Sequence, residues 1–163
     1  MEIKDQFTSE EWKTLEFGVL WAFQSVLHAD GKVSTGQLDA FRKISVKADT
    51  FGSELAAAVF KDIKVDARNI VENYNRDSRL IEYGLKDMNE LLDRKVEEKD
   101  AKRFKKAVLA AGAYLAHASS GYFEANISDD EQEMIDKMAE IMNITENDLR
   151  KSPTVQEILA ELV

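Results

Sequence analysis

Apolar residues recur every three to four positions along this chain, and a single proline, Pro153, interrupts the pattern. That spacing follows one face of an α-helix, whereas a half-buried strand would alternate every second residue. Trp12, Leu15, Val19, Ala22, Phe23 and Val26 make one such stripe, and Phe104, Val108, Ala111 and Leu115 make another. Each ends in His-Ala and a polar turn containing glycine. The first turn is Leu27-His28-Ala29-Asp30-Gly31-Lys32-Val33-Ser34. The second is Ala116-His117-Ala118-Ser119-Ser120-Gly121, closed by Asn126-Ile127-Ser128-Asp129-Asp130-Glu131. Gly31 and Gly121 can take the positive φ that ends a helix without a Cβ clash. Ser34 with Gln37, and Ser128 with Glu131, read as capping boxes that satisfy the free N–H groups of a following helix. The apolar register counted from each serine also agrees: Phe41 and Ile135 fall at plus seven, Ile44 and Met138 at plus ten. An internal duplication of a helix–turn–helix unit is therefore expected over about residues 12–47 and 104–143.

The phrase Ala29-Asp30-Gly31-Lys32-Val33-Ser34 between two amphipathic helices resembles the tellurite-resistance TerB family. That family's all-helical domain carries two such units, written Asp-Gly-x-Val-Ser-x-x-Glu. The similarity spans about residues 8–145. Gln37 stands at the acidic end of the first motif, and Ser119 or Ser120 replaces the aspartate of the second, while Glu131 keeps its acidic end. The resemblance implies a TerB-like helical bundle and a cytoplasmic role in tellurite or other stress resistance. It also raises the expectation of a divalent metal ion, calcium or magnesium. Asp30 with Asp129, Asp130, Glu131 and Glu133 offers the hard oxygen ligands such ions take, if the two turns meet in space. The bland alternative is that Asp-Gly simply makes a good turn and that acids at a helix start are favoured by its dipole. The first turn is not an EF-hand loop, since the alternating acids before the glycine are missing.

Elsewhere the chain reads as helices with recognisable ends. Thr8 is the expected N-cap of the first helix, with Glu11 as capping-box partner and Phe7 with Trp12 as hydrophobic staple. A second helix is expected from Ser34 to about Lys47. Ser53 caps a third carrying Leu55, Val59 and Ile63, and a fourth turn or helix covers about Asp66 to Tyr74. The longest helix is expected to begin near Asp77 or Ser78 and to turn Ile81, Leu85, Met88, Leu92 and Val96 inward, with Glu97-Glu98-Lys99-Asp100 either a turn or its continuation. Thr145 to Asp148 signals a short helix, and Ser152-Pro153 fits the start of the last one. The expected class is all-α, a single domain over 1–163 with seven or eight helices.

The absence of cysteine excludes disulfides, thiolate metal sites and cysteine nucleophiles. The first residues show no secretory pattern, and no apolar run is long enough to span a bilayer, so no membrane insertion and a cytoplasmic location are expected. The net charge of −9 disfavours nucleic-acid binding. Charge is nonetheless uneven: seven basic residues against four acidic ones from Asp93 to Lys106, and nine acidic against one lysine from Glu124 to Asp148. Two solvated helix faces are the plain reading of these runs.

Phosphate-loop, zincin, nucleophile-elbow and dinucleotide motifs are all missing, so no catalytic residues are assigned and the chain is read as a non-enzyme; a small hydrolase built on the acidic cluster is the weakest of the competing functions. His28 and His117 occupy equivalent repeat positions, either as a pair or as separate cations at helix ends. Tyr122 and Phe123, in a turn five residues longer than its sister, either tuck into the core or anchor a partner. The function expected is partner binding, with a generic interaction or co-chaperone-type module lacking metal as the alternative.

Overall fold

The computed structural model describes residues 2–26, 53–119 and 129–144. A 3-10 turn at Ile3–Gln6 leads into α1 (Ser9–Val26); α2 (Glu54–Arg76), α3 (Ile81–Lys95), α4 (Glu98–Ser119) and α5 (Asp129–Ile141) follow. Among the described residues there is no strand, so the protein is all-helical.

α1 is the centre of the bundle. It packs most extensively on α4, then on α3 and α2, and also meets α5. The sequence explains this position. From Phe17 to Phe23 apolar side chains run almost without a break, and Phe17, Val19, Leu20, Trp21, Ala22 and Phe23 are all buried. A helix that is apolar all round has no face to give to water. The one-sided stripe expected for this helix is therefore exceeded. Close approach to its neighbours depends on two glycines. A Cβ at Gly112 of α4 would sit 2.5 Å from the Ala22 Cβ, and one at Gly84 of α3 would collide with the Trp21 indole.

The local capping expectations hold at the two described starts where they apply. The Glu11 N–H donates to Thr8 Oγ1 (3.2 Å) and the Thr8 N–H to Glu11 Oε1 (2.8 Å), closing the capping box. Phe7 and Trp12 rings meet at 5.7 Å as the staple. Ser53 Oγ accepts from the Ala56 N–H at 3.1 Å and caps α2.

Of two further boundaries, one agrees with expectation and one differs. The expected break between the third and fourth elements falls at Asp66, whose φ of −129° and ψ of 26° leave the helical range, so α2 is two helical halves joined at a kink. The buried stripe runs across the kink through Ile63, Ala67, Ile70 and Tyr74, so packing holds the two halves together. α3 begins at Ile81, not near Asp77 or Ser78, and at 15 residues is shorter than the 23-residue α2. Asp77 does not cap it because its carboxylate accepts from the Arg79 N–H (2.9 Å) and guanidinium. Arg79 in turn donates to Thr14 Oγ1 and Asp87 and stacks 4.9 Å over Trp21. This knot fixes the α2–α3 turn on α1. At Val96 and Glu97 the helix breaks, and Glu98-Lys99-Asp100 form the first turn of α4, so the charged segment is neither wholly a turn nor a continuation of α3.

The second expected repeat is represented by α4 and α5. Phe104, Val108, Ala111, Met138 and Met142 are buried. The first repeat's turn and second helix (27–52), the second turn from 120 to 128 and residues 145–163, where the two C-terminal helices are expected, lie outside the described residues.

Candidate functional site

The N-terminal turn is tied to the bundle on two sides. Asp62 Oδ2 of α2 accepts from both Lys4 Nζ and Trp12 Nε1, each at 2.9 Å. Lys95 Nζ at the end of α3 donates to the Gln6 carbonyl (3.1 Å) and to Glu11 Oε1 (2.6 Å), and lies 5.6 Å over the Phe7 ring. The Lys95 and Thr8 contacts hold the Glu11 carboxyl below its ordinary range. Bonding to Asp62 raises Lys4. Between turn and bundle opens a cleft of about 290 Å³, lined by apolar Ile3, Phe7, Leu55 and Val96. Lys95 is already engaged there, and an anion entering would meet Glu54, Glu97 and Asp100.

One helical turn after Trp12, Glu16 is buried on α1. Burial, and then repulsion from Asp62, pushes its carboxyl up to about 7, opposed by Lys4. Among the described residues no side chain donates a hydrogen bond to it. Sequence reading missed this group, which no motif marks. It also missed Lys105. The basic run from Asp93 to Lys106 is largely solvated as expected, but Lys105 is buried and reaches Asp93 Oδ1 at 3.5 Å. Tyr74 donates to the Gln24 side chain in the core, and burial raises its phenol above the ordinary range.

The expected metal and interaction residues are placed only in part. Asp30, Tyr122 and Phe123 lie outside the described residues. Asp129, Asp130 and Glu131 form the first turn of α5, and Glu133 is exposed one turn on. Among the described residues no group of three histidine, aspartate or glutamate side chains is arranged to hold a metal ion. What α5 does present is a charged outer side: Glu133, Asp136 and Glu140 are exposed at three- and four-residue spacing, with Lys137 the cation among them. Their neighbours Met138, Ala139 and Met142 face the core.

No family model, no curated protein and no solved structure matches this chain. Among the described residues no helix is long and apolar enough to cross a membrane.

Proposed function

We propose that this chain is a TerB-like, non-catalytic binding protein of the cytoplasm, serving tellurite or stress resistance, that recruits a basic protein partner through the outer side of α5. The proposal includes the finer architecture, a bundle of seven or eight helices with two helix–turn–helix units. One observation supports it above the others. α5 buries Met138 and Ala139 and exposes Glu133, Asp136 and Glu140, below a first turn of three further acids. Such a concentration of one sign steers an oppositely charged partner and raises its association rate, an effect that salt screens.

Capture from the native cell, followed by binding kinetics with the recovered partner, tests this. Glu133→Lys with Glu140→Lys should slow association about tenfold at low salt, and less above physiological ionic strength. An unchanged association rate would remove this side of α5 from the binding surface.

A further inference from the structure

The N-terminal turn and the buried carboxyl of Glu16 meet at one node. Trp12 and Glu16 stand one helical turn apart on α1, and so share a face of it. Asp62 of α2 takes the Trp12 indole N–H and the Lys4 ammonium on the same oxygen, Oδ2, each at 2.9 Å. Lys4 is thus the tie between the turn and α2. Glu16, 9% exposed, receives no hydrogen bond from any described side chain, and a carboxyl buried without a donor resists ionisation. Burial keeps it neutral until the pH nears 7. Four charged groups act on it: Lys4 of the turn and Lys13 of its own helix attract its charge, while Asp62 and Asp66 of α2 repel it. Its charge in turn steadies the Lys4 ammonium.

We propose that the N-terminal turn is a strap whose hold on the bundle follows the charge of Glu16. Ionised, Glu16 is a second acid drawing Lys4 onto the α1–α2 contact; protonated, it leaves Lys4 to Asp62 alone. The attraction is reciprocal, so whatever Lys4 contributes to ionising Glu16 is returned as a firmer hold on Lys4. The strap is therefore tighter at pH 8 than at pH 6. The whole fold responds in the opposite sense, because the ionised carboxyl sits in a buried place beside Asp62. At the other end of the strap, Lys95 binds the Gln6 carbonyl and Glu11. The Glu11 carboxyl, held below its ordinary range by Lys95 and Thr8, is ionised throughout this interval, so that end does not loosen. Ile3 and Phe7 form the strap's side of the cleft, with Leu55 and Val96 opposite. Acidification through neutrality thus frees the Lys4 end and opens the apolar cleft.

The chain has no cysteine, so Val96→Cys places a single thiol in the cleft. Its labelling rate with a thiol reagent, divided by that of a small free thiol at the same pH, reads the opening of the strap, with circular dichroism as the control for folding. At pH 8 this reporter should label about threefold more slowly than the same reporter carrying Glu16→Gln, and at pH 6 the two should nearly agree. Adding Lys4→Met should give fast labelling at both pH values and erase the difference that Glu16→Gln makes. A second measurement needs no reporter: carbon NMR of the Glu16 carboxyl, whose titration midpoint should lie near 7 and rise in Lys4→Met. Labelling profiles that run parallel with and without Glu16→Gln overturn the strap. A midpoint near 7 that Lys4→Met leaves in place also overturns it, and spares the buried, proton-binding carboxyl. A Glu16 that stays ionised down to pH 5 overturns both.

Discussion

Replacing Glu16 by glutamine should make the protein more stable at pH 8 and leave it nearly unchanged at pH 4. The side chain lies within the α1–α2 contact, where burial disfavours its charged form and Asp62 adds repulsion. Its carboxyl moves from an ordinary 4.5 to about 7 on folding. Between these two values the folded chain holds a proton that the unfolded chain releases, so stability falls as pH rises through the interval. Below pH 4.5 both states are protonated and the group has no effect. Above 7 both are ionised and the loss is complete. Taken at face value the shift corresponds to about 3 kcal/mol. Residual water contact and local relaxation bring the expected loss to about 1–2 kcal/mol. Glutamine has nearly the same shape and no charge, so it should abolish this slope.

Urea denaturation of both proteins at pH 4, 5, 6, 7 and 8 measures the difference directly. Histidines and the other carboxylates titrate in both proteins, and their contributions cancel on subtraction unless they couple to position 16. The two stability curves should nearly coincide at pH 4 and separate by about 1–2 kcal/mol by pH 8, with the variant above. Curves that run parallel across this range would refute the buried, proton-binding carboxyl.

Gly84→Ala should lower stability by about 1–3 kcal/mol, since the new methyl overlaps the Trp21 indole and α3 must shift to admit it; an unchanged melting temperature would argue against so close an approach. Trp12→Phe keeps the staple with Phe7 and removes only the indole donor to Asp62, so it should lose about 1 kcal/mol in denaturant titration. A loss near zero would mean that Lys4 alone satisfies the carboxylate.

The features legible from sequence are those whose partners lie within a few residues. Thr8, Glu11, Phe7 and Trp12 signal a helix start because the contacts they make close within six residues. Ser53 reads correctly for the same reason. Errors arise where a distant partner decides. Asp77 has the side chain of an N-cap, but Arg79, itself held by α1 and by Asp87, takes its carboxylate. The break at Asp66, by contrast, reads correctly, even though the apolar spacing continues past it. Trp12 and Asp62 stand 50 positions apart, and no periodicity reports such a pair. Glu16 and Lys105 look like surface charges in the sequence, and only the packing of α1 and α4 shows them to be buried. Of the candidate site, the acidic side of α5 was legible as a charge run, whereas the outer side of α2 mixes Lys61, Lys64 and Arg68 with Glu54, Asp66 and Glu72.

These two outer sides share a physical origin. α1 is apolar around most of its circumference and is covered by the helices packed on it. Each covering helix needs only its inner stripe to close the core. On α2 that stripe includes Leu55, Val59, Phe60, Ile63 and Ala67, and on α5 Met138 and Ala139. Residues on the outer side are then free of packing demands, so fold stability alone sets only weak limits on their charge. Signs are accordingly mixed along α2, where Glu54, Asp66 and Glu72 are exposed with Lys61, Lys64 and Arg68, whereas the exposed side of α5 carries Glu133, Asp136 and Glu140 against Lys137 alone. Like charges at that spacing oppose the helix taken singly, and they become favourable when a surface of the opposite sign is near.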